Sequence, residues 1–388
     1  MSLAAPPLAL YVHMPWCVKK CPYCDFNSHG LRGAPPPYAE YADLLLADLD
    51  ADLADFGAAA RGRDIVSVFF GGGTPSLFAP DHIARFLDGA RARLPFAGDC
   101  EITLETNPGT VEHGRFDGYL AAGVNRLSFG IQSFDDDKLR RLGRIHSAGE
   151  AEAAVKSAQD AGYANINLDL MYALPTQDLD GALADVERAI ALAPTHVSHY
   201  QLTLEPNTAF AANPPPLPDD DHAWAMQEAC ESRLAAAGYG QYEISAYAQA
   251  GRRCAHNLNY WQFGDYLGIG AGAHGKLSDT AAGQVRRRWK TRHPRAYMEA
   301  AGAAARIGGD GAVDADELPF EYMLNALRLI DGVPLADFAA RTGLPPERIA
   351  APLAAARRRG WLVDDPHWLR TTALGQRFLN DVISGFLD

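Results

Sequence analysis

The sequence has few cysteines and no apolar segment long enough to cross a membrane. Of 388 residues only 6 are cysteine, whereas 48% are hydrophobic, which is typical of a globular protein with a sizeable core. No apolar run approaches the roughly 20 residues that span a bilayer, and the first residues lack the basic segment of a signal peptide. These absences argue against an integral membrane protein and a disulfide-rich secreted one, and they predict a cytoplasmic chain with reduced thiols.

Positive charge is also scarce. Lysine and arginine number 35 against 48 aspartates and glutamates, giving a formal net charge of -13. An acidic surface repels a phosphate backbone, so we expect no nucleic-acid partner, and a function on RNA is disfavoured. Two local basic runs, RRRWK at 286–290 and RRR at 357–359, are expected to be solvated faces.

Half of the cysteines lie within eight positions, in the stretch WCVKKCPYCDF at 16–26. Cys17, Cys21 and Cys24 form a C-x₃-C-x₂-C pattern. A [4Fe–4S] cluster held by three cysteines keeps one iron open, whereas structural zinc takes four protein ligands. For zinc, the fourth ligand would have to come from His13, His29 or Cys100. A redox pair of Cys21 and Cys24 would leave Cys17 without a role. The spacing favours iron–sulfur and leaves the other two open.

Six short, nearly continuous apolar runs predict buried strands at 8–14, 65–70, 101–106, 125–131, 164–172 and 196–204. Amphipathic segments between them predict helices, and this alternation is typical of βαβ units with a parallel sheet. Six units are fewer than the eight that close a barrel. The prediction is therefore an α/β fold with a partial (β/α)6 TIM-like barrel, and a doubly wound sheet is the alternative.

Composition breaks divide the chain into three predicted parts. The Pro/Asp-rich segment EPNTAFAANPPPLPDDD follows the sixth strand, and IGGDGAVDADELP occupies 307–319. The predicted domains are the barrel at 1–205, a barrel extension at 206–306 and a C-terminal domain at 307–388. The pattern of the last part, helix, turn, helix and small hairpin, predicts a mostly helical, winged-helix-like domain with a packing role.

The stretch YVHMPWCVKKCPYCDFNSH resembles the cluster loop of radical S-adenosylmethionine (SAM) proteins, in which SAM chelates the open iron through its amino and carboxylate groups. The similarity continues through FFGGGTPSLF, ITLETNPGTVE, GVNRLSFGIQSF, LGRIHS and NLDLMYALPTQ. These motifs cover most of residues 8–205 in the order of the coproporphyrinogen III oxidase-like branch. The resemblance implies a barrel of the radical SAM type, with a [4Fe–4S] cluster on Cys17, Cys21 and Cys24 and with SAM as a cofactor.

The residue types at the predicted strand ends suit such a ligand. Glycines 71–73 lack a Cβ, so backbone groups can approach a bound molecule. Carboxylates can hold a ribose diol or an amine, and an arginine can pair with a carboxylate. The resemblance assigns SAM contacts to Tyr11, Gly72, Gly73, Thr74, Glu105, Gln132, Arg144 and Asp169, and it places Tyr23 beside the adenine.

A second constellation, CAHNLNYW, occupies 254–261. A histidine among aromatic side chains can give an axial imidazole to haem iron while the rings stack on the macrocycle. A hydrogen-bonded histidine in an aromatic core is the alternative. The segment HNLNYW resembles the H-N-x-x-Y-W motif of HemW-type haem chaperones, which implies that His256 is a haem-iron ligand and that Tyr260 and Trp261 contact the haem. Cys254 is a weaker ligand candidate.

Two functions remain in competition. One is a haem chaperone that passes haem to respiratory haem proteins. The other is an oxygen-independent coproporphyrinogen III dehydrogenase, whose loop resembles C-x₃-C-x₂-C-x-C and which carries a long segment before its first strand. This chain has Phe26 in place of the last cysteine and begins its first strand by residue 8. We therefore expect a radical SAM scaffold without dehydrogenase activity. A peripheral membrane contact and a homodimer stay open, because no residue decides them.

Overall fold

The structure is a computed structural model that describes residues 3–31, 33, 35–109 and 116–387. The end of the motif ITLETNPGTVE, beyond residue 109, lies outside the described residues. The parallel strands are β1 (Leu8–Met14), β2 (Ile65–Gly72), β3 (Phe96–Thr106), β4 (Arg126–Gln132), β5 (Ile166–Tyr172) and β6 (His196–Gln201). All six are neighbours in chain order. A doubly wound sheet reverses its order after the first strand, so the sequential order confirms the partial barrel.

Further strands prolong this sheet on both sides to twelve strands. They are β7 (Gly240–Glu243), β8 (Ala246–Ala248), β9 (Asp265–Ile269), β10 (His274–Asp279), β11 (Gln284–Lys290) and β12 (Ile307–Ala312). Next to β6 lie β8 and then β7. On the other side β9 pairs in parallel with β1, and β10, β11 and β12 follow in antiparallel pairs. The strands of the predicted extension are thus continuous with the barrel sheet.

The helices cover the sheet or form the C-terminal part. They are α1 (Tyr38–Phe56), α2 (Pro80–Arg91), α3 (Phe116–Ala121), α4 (Asp136–Arg141), α5 (Ala148–Asp160), α6 (Leu179–Ala191), α7 (Ala209–Ala212), α8 (Asp220–Ala236), α9 (Ala255–Trp261), α10 (Pro294–Glu299), α11 (Leu318–Ala326), α12 (Leu335–Thr342), α13 (Glu347–Arg358), α14 (Ala373–Arg377) and α15 (Leu379–Ser384). Within the described part of the chain, none has the length and apolar content needed to cross a bilayer.

The C-terminal part is mostly helical, as predicted. Helices α12 and α13 are followed by a hairpin in which Val363 N–H donates to the carbonyl of Arg370 at 2.9 Å, which is the expected winged-helix-like order. Its hydrophobic core also includes Phe263 and Val285, whereas Tyr297 belongs to the barrel core. The domain limits at 205 and 306 therefore stay a prediction, because both cores draw on residues between them.

The basic run at 286–290 does not form the solvated face that we expected. It lies in β11, where Lys290 and Arg288 are buried. Lys290 Nζ lies 2.6 Å from Asp48 Oδ1 and 2.7 Å from Asp52 Oδ1, and Arg288 Nη1 lies 2.7 Å from the same Asp52 oxygen. Both aspartates belong to α1. Buried charges persist where partners compensate them, so these ion pairs fasten the extension strands to the first barrel helix. The run at 357–359, by contrast, ends α13 with Arg358 and Arg359 exposed, as predicted.

Replacing Lys290 with methionine keeps the bulk of the side chain but leaves two buried carboxylates without their shared cation. We expect the free energy of unfolding to fall by about 3–5 kcal/mol, the usual cost of breaking a buried ion pair. Chemical denaturation followed by circular dichroism measures this change. Arg295→Met is the control, because its pair with Glu299 is exposed and contributes less than about 1 kcal/mol. Equal losses in the two variants would contradict the assigned role of Lys290.

Candidate functional site

The cysteine loop leaves the carboxyl end of β1 and is closed by backbone hydrogen bonds. The short strands Trp16–Cys17 and His29–Gly30 pair with each other, and Leu31 N–H donates to the carbonyl of Cys17 at 2.9 Å. The loop therefore presents its three thiols at the edge where the parallel strands end. Cys17, Cys21 and Cys24 line one pocket of about 130 Å³.

The donor set of this pocket fits an iron–sulfur cluster better than a single ion. In the described part of the chain, no three His, Cys, Asp or Glu side chains are spaced to hold one metal ion. A cubane places each cysteine on a different iron, so its sulfurs lie farther apart than the ligands of one ion. The zinc alternatives His13, His29 and Cys100 are not among the described residues that line the pocket. Burial raises the pKa of the Cys17 thiol, and the charges of Cys24 and Cys21 add to the effect.

The glycine motif holds the end of β2 against the start of the cysteine loop. A Cβ on Gly73 would meet the carbonyl oxygen of Trp16 at 2.5 Å and that of Met14 at 2.8 Å. The backbone N–H of Gly73 donates to Met14 O at 2.8 Å, and that of Thr74 donates to Trp16 O at 2.7 Å. We expected these backbone groups to face a ligand. The N–H groups of Gly73 and Thr74 bind the loop, and Gly72, Gly73 and Thr74 line the cysteine pocket, so their contact with a ligand stays a prediction.

Two acidic side chains predicted from the strand ends enter the same pocket. Glu105 and Asp169 line it, and Asp169 accepts hydrogen bonds from Asn167 Nδ2 at 2.8 Å and Ser128 Oγ at 3.3 Å. Burial, followed by the charge of Asp169, raises the pKa of Glu105 to about 8. Burial also raises the pKa of Asp169. A ligand that brings an ammonium group or hydroxyl donors would compensate this buried negative potential.

Arg144 lies beside the cysteines with one donor unused. Its Nη1 is 3.7 Å from Cys21 Sγ, and its Nη2 donates to Asn107 Oδ1 at 2.5 Å and to the carbonyl of Gly130. Its buried Nε has no hydrogen-bond partner among the described residues. An arginine with a free N–H next to the thiols can donate a charge-assisted hydrogen bond to the carboxylate of a ligand that binds a cluster there.

Gln132 has a strained backbone at the end of β4. Its φ of 74° lies in the left-handed region, which non-glycine residues adopt rarely and mostly where function or packing requires it. The side-chain Oε1 accepts a hydrogen bond from the hydroxyl of Tyr200 at 2.8 Å. Tyr200 lines the pocket with Gln132.

The pocket residues that sequence reasoning missed include Asn107, Ser128 and Tyr200, each of which forms a hydrogen bond with a predicted residue. Asn107 connects two predicted residues, because its Nδ2 donates to Thr74 Oγ1 at 2.6 Å while its Oδ1 accepts from Arg144. All three are polar residues in or just after a parallel strand. For Asn107 and Tyr200 that position was a usable signal, since the carboxyl ends of parallel strands gather at one edge, whereas Ser128 is the third residue of β4.

The two predicted tyrosines lie in different places. Tyr23 lines the cysteine pocket, with its ring centroid 6.3 Å from that of Phe210. Tyr11 is absent from the described lining of that pocket and instead lines a second cavity. Its hydroxyl donates to Nδ1 of His13 at 2.9 Å. Tyr11 shares this cavity with Gly72 and Glu105, two other predicted SAM contacts, so its assignment to SAM stays a prediction.

The second cavity has a volume of about 790 Å³ and contains His256, Tyr260 and Trp261, within the usual size range of small-molecule sites. The ring of His256 lies 5.0 Å from that of Phe69 and 6.4 Å from that of Tyr11. This arrangement brings the predicted haem motif of α9 onto the inner side of β1 and β2.

His256 is suited to metal ligation in its neutral form. Its Nδ1 lies 3.0 Å from Ser67 Oγ, whereas its Nε2 has no hydrogen-bond partner in the described part of the chain. Burial, followed by the positive charge of Arg126, lowers the pKa of His256 to about 3. Neutral imidazole is the form that binds metals, and the hydrogen bond on one nitrogen fixes the availability of the other.

Cys254, the weaker ligand candidate, lies away from the cavity. Its thiol is fully buried and donates to Glu101 Oε1 at 3.3 Å. Burial raises the pKa of this thiol to about 12. It is not among the described residues that line the cavity, so the geometry favours His256.

The cysteine pocket and the second cavity adjoin each other. Phe26, Gly72 and Glu105 line both. The side chain of Phe26, at the position where the dehydrogenase motif has its last cysteine, is 64% exposed. It supplies an apolar ring between the two spaces where a thiol would otherwise stand.

Two family models match the chain. The Radical SAM superfamily model matches residues 11–189, and the HemN C-terminal domain model matches residues 313–378. The chain is 50% identical to the haem chaperone HemW of Escherichia coli strain K12 over 382 residues, which is 98% of each chain. It is 48% identical to HemW of Haemophilus influenzae, again over 98% of each.

A solved structure of coproporphyrinogen III oxidase (HemN) from Escherichia coli, described as a radical SAM enzyme, has the same fold. It superposes with a TM-score of 0.81 over 98% of this chain and 90% of that chain, at 22% identity. Identity at this level shows the fold alone. It agrees with the parallel sheet and C-terminal domain described above.

The raised pKa of Glu105 predicts how the stability of the cluster-free protein depends on pH. The folded state holds this proton more tightly than the unfolded chain, whose pKa is near 4.5. The stabilisation from Glu105 is therefore complete below about pH 4.5 and is lost as the pH rises towards 8. In Glu105→Gln this loss cannot occur, so the melting temperature of the wild type should fall relative to the variant between about pH 5 and pH 8.

Thermal melts of both proteins without SAM measure this difference, because other titrating groups cancel in the comparison. The exposed Glu299, which pairs with Arg295 on α10, provides the control variant Glu299→Gln. Parallel melting curves for wild type and Glu105→Gln over this pH range would contradict the assigned environment of Glu105.

Proposed function

The chain belongs to the HemW family of haem chaperones within the radical SAM superfamily, and on this premise we propose that it binds haem and transfers it to haem-accepting respiratory proteins. The observation that carries the proposal is the second cavity. It presents a neutral imidazole with an unused Nε2 among the rings of Tyr11 and Phe69. A porphyrin needs an axial donor for its iron and apolar faces for its ring, and this cavity offers both.

Within this cavity His256 would hold the haem iron. The hydrogen bond between Nδ1 and Ser67 orients the imidazole, so that Nε2 is the donor atom. Tyr260 and Trp261 would pack against the macrocycle. The guanidinium of Arg328, 4.4 Å from the centre of the Trp261 ring, supports that ring from the C-terminal part of the chain.

The cysteine pocket is proposed to hold a [4Fe–4S] cluster and SAM. A cluster with one open iron can bind the amino and carboxylate groups of SAM. Cys17, Cys21 and Cys24 would hold the cluster, and Arg144 would pair with the SAM carboxylate through its free Nε. The remaining proposed SAM contacts are Tyr23, Gly72, Gly73, Thr74, Glu105, Gln132 and Asp169.

The protonation of the two buried carboxyl groups in this pocket is expected to change when SAM binds. Glu105 and Asp169 are both held towards the neutral form by burial. The sulfonium and the ribose hydroxyls of SAM would lie against them and favour their ionised form. Binding of SAM should therefore release protons near neutral pH. These protons would come from the two carboxyl groups and not from the cluster.

The second candidate function is the oxygen-independent coproporphyrinogen III dehydrogenase. The fold shared with HemN makes the dehydrogenase function the second candidate, but one fold can host many functions. Phe26 lines both pockets at the position where the dehydrogenase motif has a cysteine, and it provides no thiol there. We therefore propose a radical SAM scaffold that carries haem without decarboxylating a haem precursor. A cytoplasmic location, a peripheral membrane contact and a homodimer remain predictions.

Removal of the axial ligand tests haem binding. In His256→Ala we expect haem affinity to fall roughly 10–100-fold, with a shifted or lost Soret band, because the only proposed nitrogen donor is removed. Spectroscopic titration of wild type and variant with ferric haem measures both effects. His199→Ala is the matched control, since His199 is buried beside Tyr172, with ring centroids 4.8 Å apart, outside the cavity lining. An unchanged titration of the His256 variant would overturn the assignment.

A direct assay separates the two functions. We expect cluster-reconstituted protein supplied with coproporphyrinogen III, SAM and a reductant to form no decarboxylated product, because Phe26 replaces the last cysteine of the dehydrogenase motif. Chromatography of the porphyrins after oxidation detects any product, and a HemN-type oxidase in the same buffer is the positive control. Product at a rate comparable to that control would establish the dehydrogenase function instead.

A further inference from the structure

The second cavity is strongly asymmetric in charge. Among the described residues that line it, Arg292 is the only lysine or arginine, and Glu105 is the only carboxylate. Most of the remaining lining consists of aromatic rings and histidines. In the absence of SAM, burial raises the pKa of Glu105 to about 8 and so favours its protonated form near neutral pH. Arg292 is the one permanent positive charge among the described residues that line the cavity.

Arg292 differs from the basic residues that precede it in the chain. Arg286, Arg287, Arg288 and Lys290 each form an ion pair with an aspartate or glutamate. Arg292 forms no ion pair with any described residue, and its side chain is exposed. A cation left without a carboxylate in a chain of net charge -13 is available to an anionic ligand.

The backbone around Arg292 is nevertheless fixed. Asn27 Nδ2 donates to the carbonyl of Arg292 at 2.8 Å and to that of Ala271 at 3.0 Å. Gly272 N–H donates to Thr291 O at 3.0 Å. Asn27 belongs to the cysteine loop, so this loop holds the residue in place while the guanidinium stays free. A fixed backbone lowers the entropy cost of using the side chain as a ligand.

The topology places Arg292 at the same sheet edge as the cluster loop but away from His256. Strand β9 is parallel to β1, and two antiparallel pairings follow, so β11 runs in the direction of β1. Arg292 lies just beyond the carboxyl end of β11, three strands from β1 in the sheet. His256 packs against Phe69 of β2 at 5.0 Å. One cavity thus joins the proposed haem ligand packed on β2 and a cation that follows β11, four strands from β2 in the sheet.

We propose that Arg292 binds the propionate carboxylates of haem and so fixes the direction in which haem enters the cavity, with its iron at His256. This inference rests on the proposed haem binding. Haem is an apolar disc that carries two carboxylates on one edge, and a guanidinium pairs with carboxylates through two parallel hydrogen bonds. His274 also lines the cavity on this side, with its ring stacked on Trp289 at a centroid distance of 6.2 Å, and an imidazole N–H can donate to a carboxylate.

Haem and its dimethyl ester separate this role from general haem affinity. The ester keeps the iron and the macrocycle but has no charged carboxylate. We expect wild type to bind haem about tenfold more tightly than the ester, as one charge-assisted interaction allows. Arg292→Ala should bind haem about tenfold more weakly than wild type and the ester unchanged, while Arg292→Lys should recover part of the preference. All titrations use the full chain in one detergent buffer.

Arg295→Ala is the charge-matched control, because Arg295 is three residues away, pairs with Glu299 and is not among the described residues lining the cavity. It should keep the preference for haem. Equal affinity of wild type for haem and ester, or an intact preference in Arg292→Ala, would overturn the propionate assignment while leaving haem binding standing. Failure of wild type to bind either compound would overturn the proposed function and this inference together.

Discussion

The site depends on one constraint, namely that the carboxyl ends of six parallel strands meet at one edge and the cysteine loop must stay packed on that edge. The loop is the direct continuation of β1, and Gly73, just after the end of β2, holds it through contacts that any Cβ would block. Glu105 and Gln132 enter the same pocket from the ends of their strands, and Asp169 enters it from the middle of β5. Without the loop anchored there, the polar side chains would line an open groove.

A second constraint builds the other cavity. The strands that continue the sheet beyond β1 extend the same edge, and the buried pairs between α1 and β11 hold them there. Such pairs cost desolvation and stabilise the fold only when every charge is compensated. Their value here is positional, since Arg292 and His274 reach the cavity rim through β10 and β11. The helix that follows β1 therefore also determines the geometry of the proposed haem site.

The sequence predicts the strands, the helices and most of the pocket residues. It does not predict burial that depends on contacts between residues far apart in the chain. Apolar runs identified the six strands because strands covered on both faces are apolar throughout. Strand ends and the family resemblance identified Arg144 and Glu105. Nothing local indicated that Lys290 is buried, because its partners Asp48 and Asp52 are more than two hundred residues away in the chain.

Phe26 is part of the wall that the two pockets share. Glu105 and Gly72 line both spaces, so a ligand in either one meets the same carboxyl group. A thiol at residue 26 would add a donor at this wall, whereas a phenyl ring adds only apolar surface. An apolar ring can lie against a macrocycle without competing with His256 for its iron. The phenyl ring that stands in place of the last cysteine of the dehydrogenase motif is thus compatible with the proposed haem site.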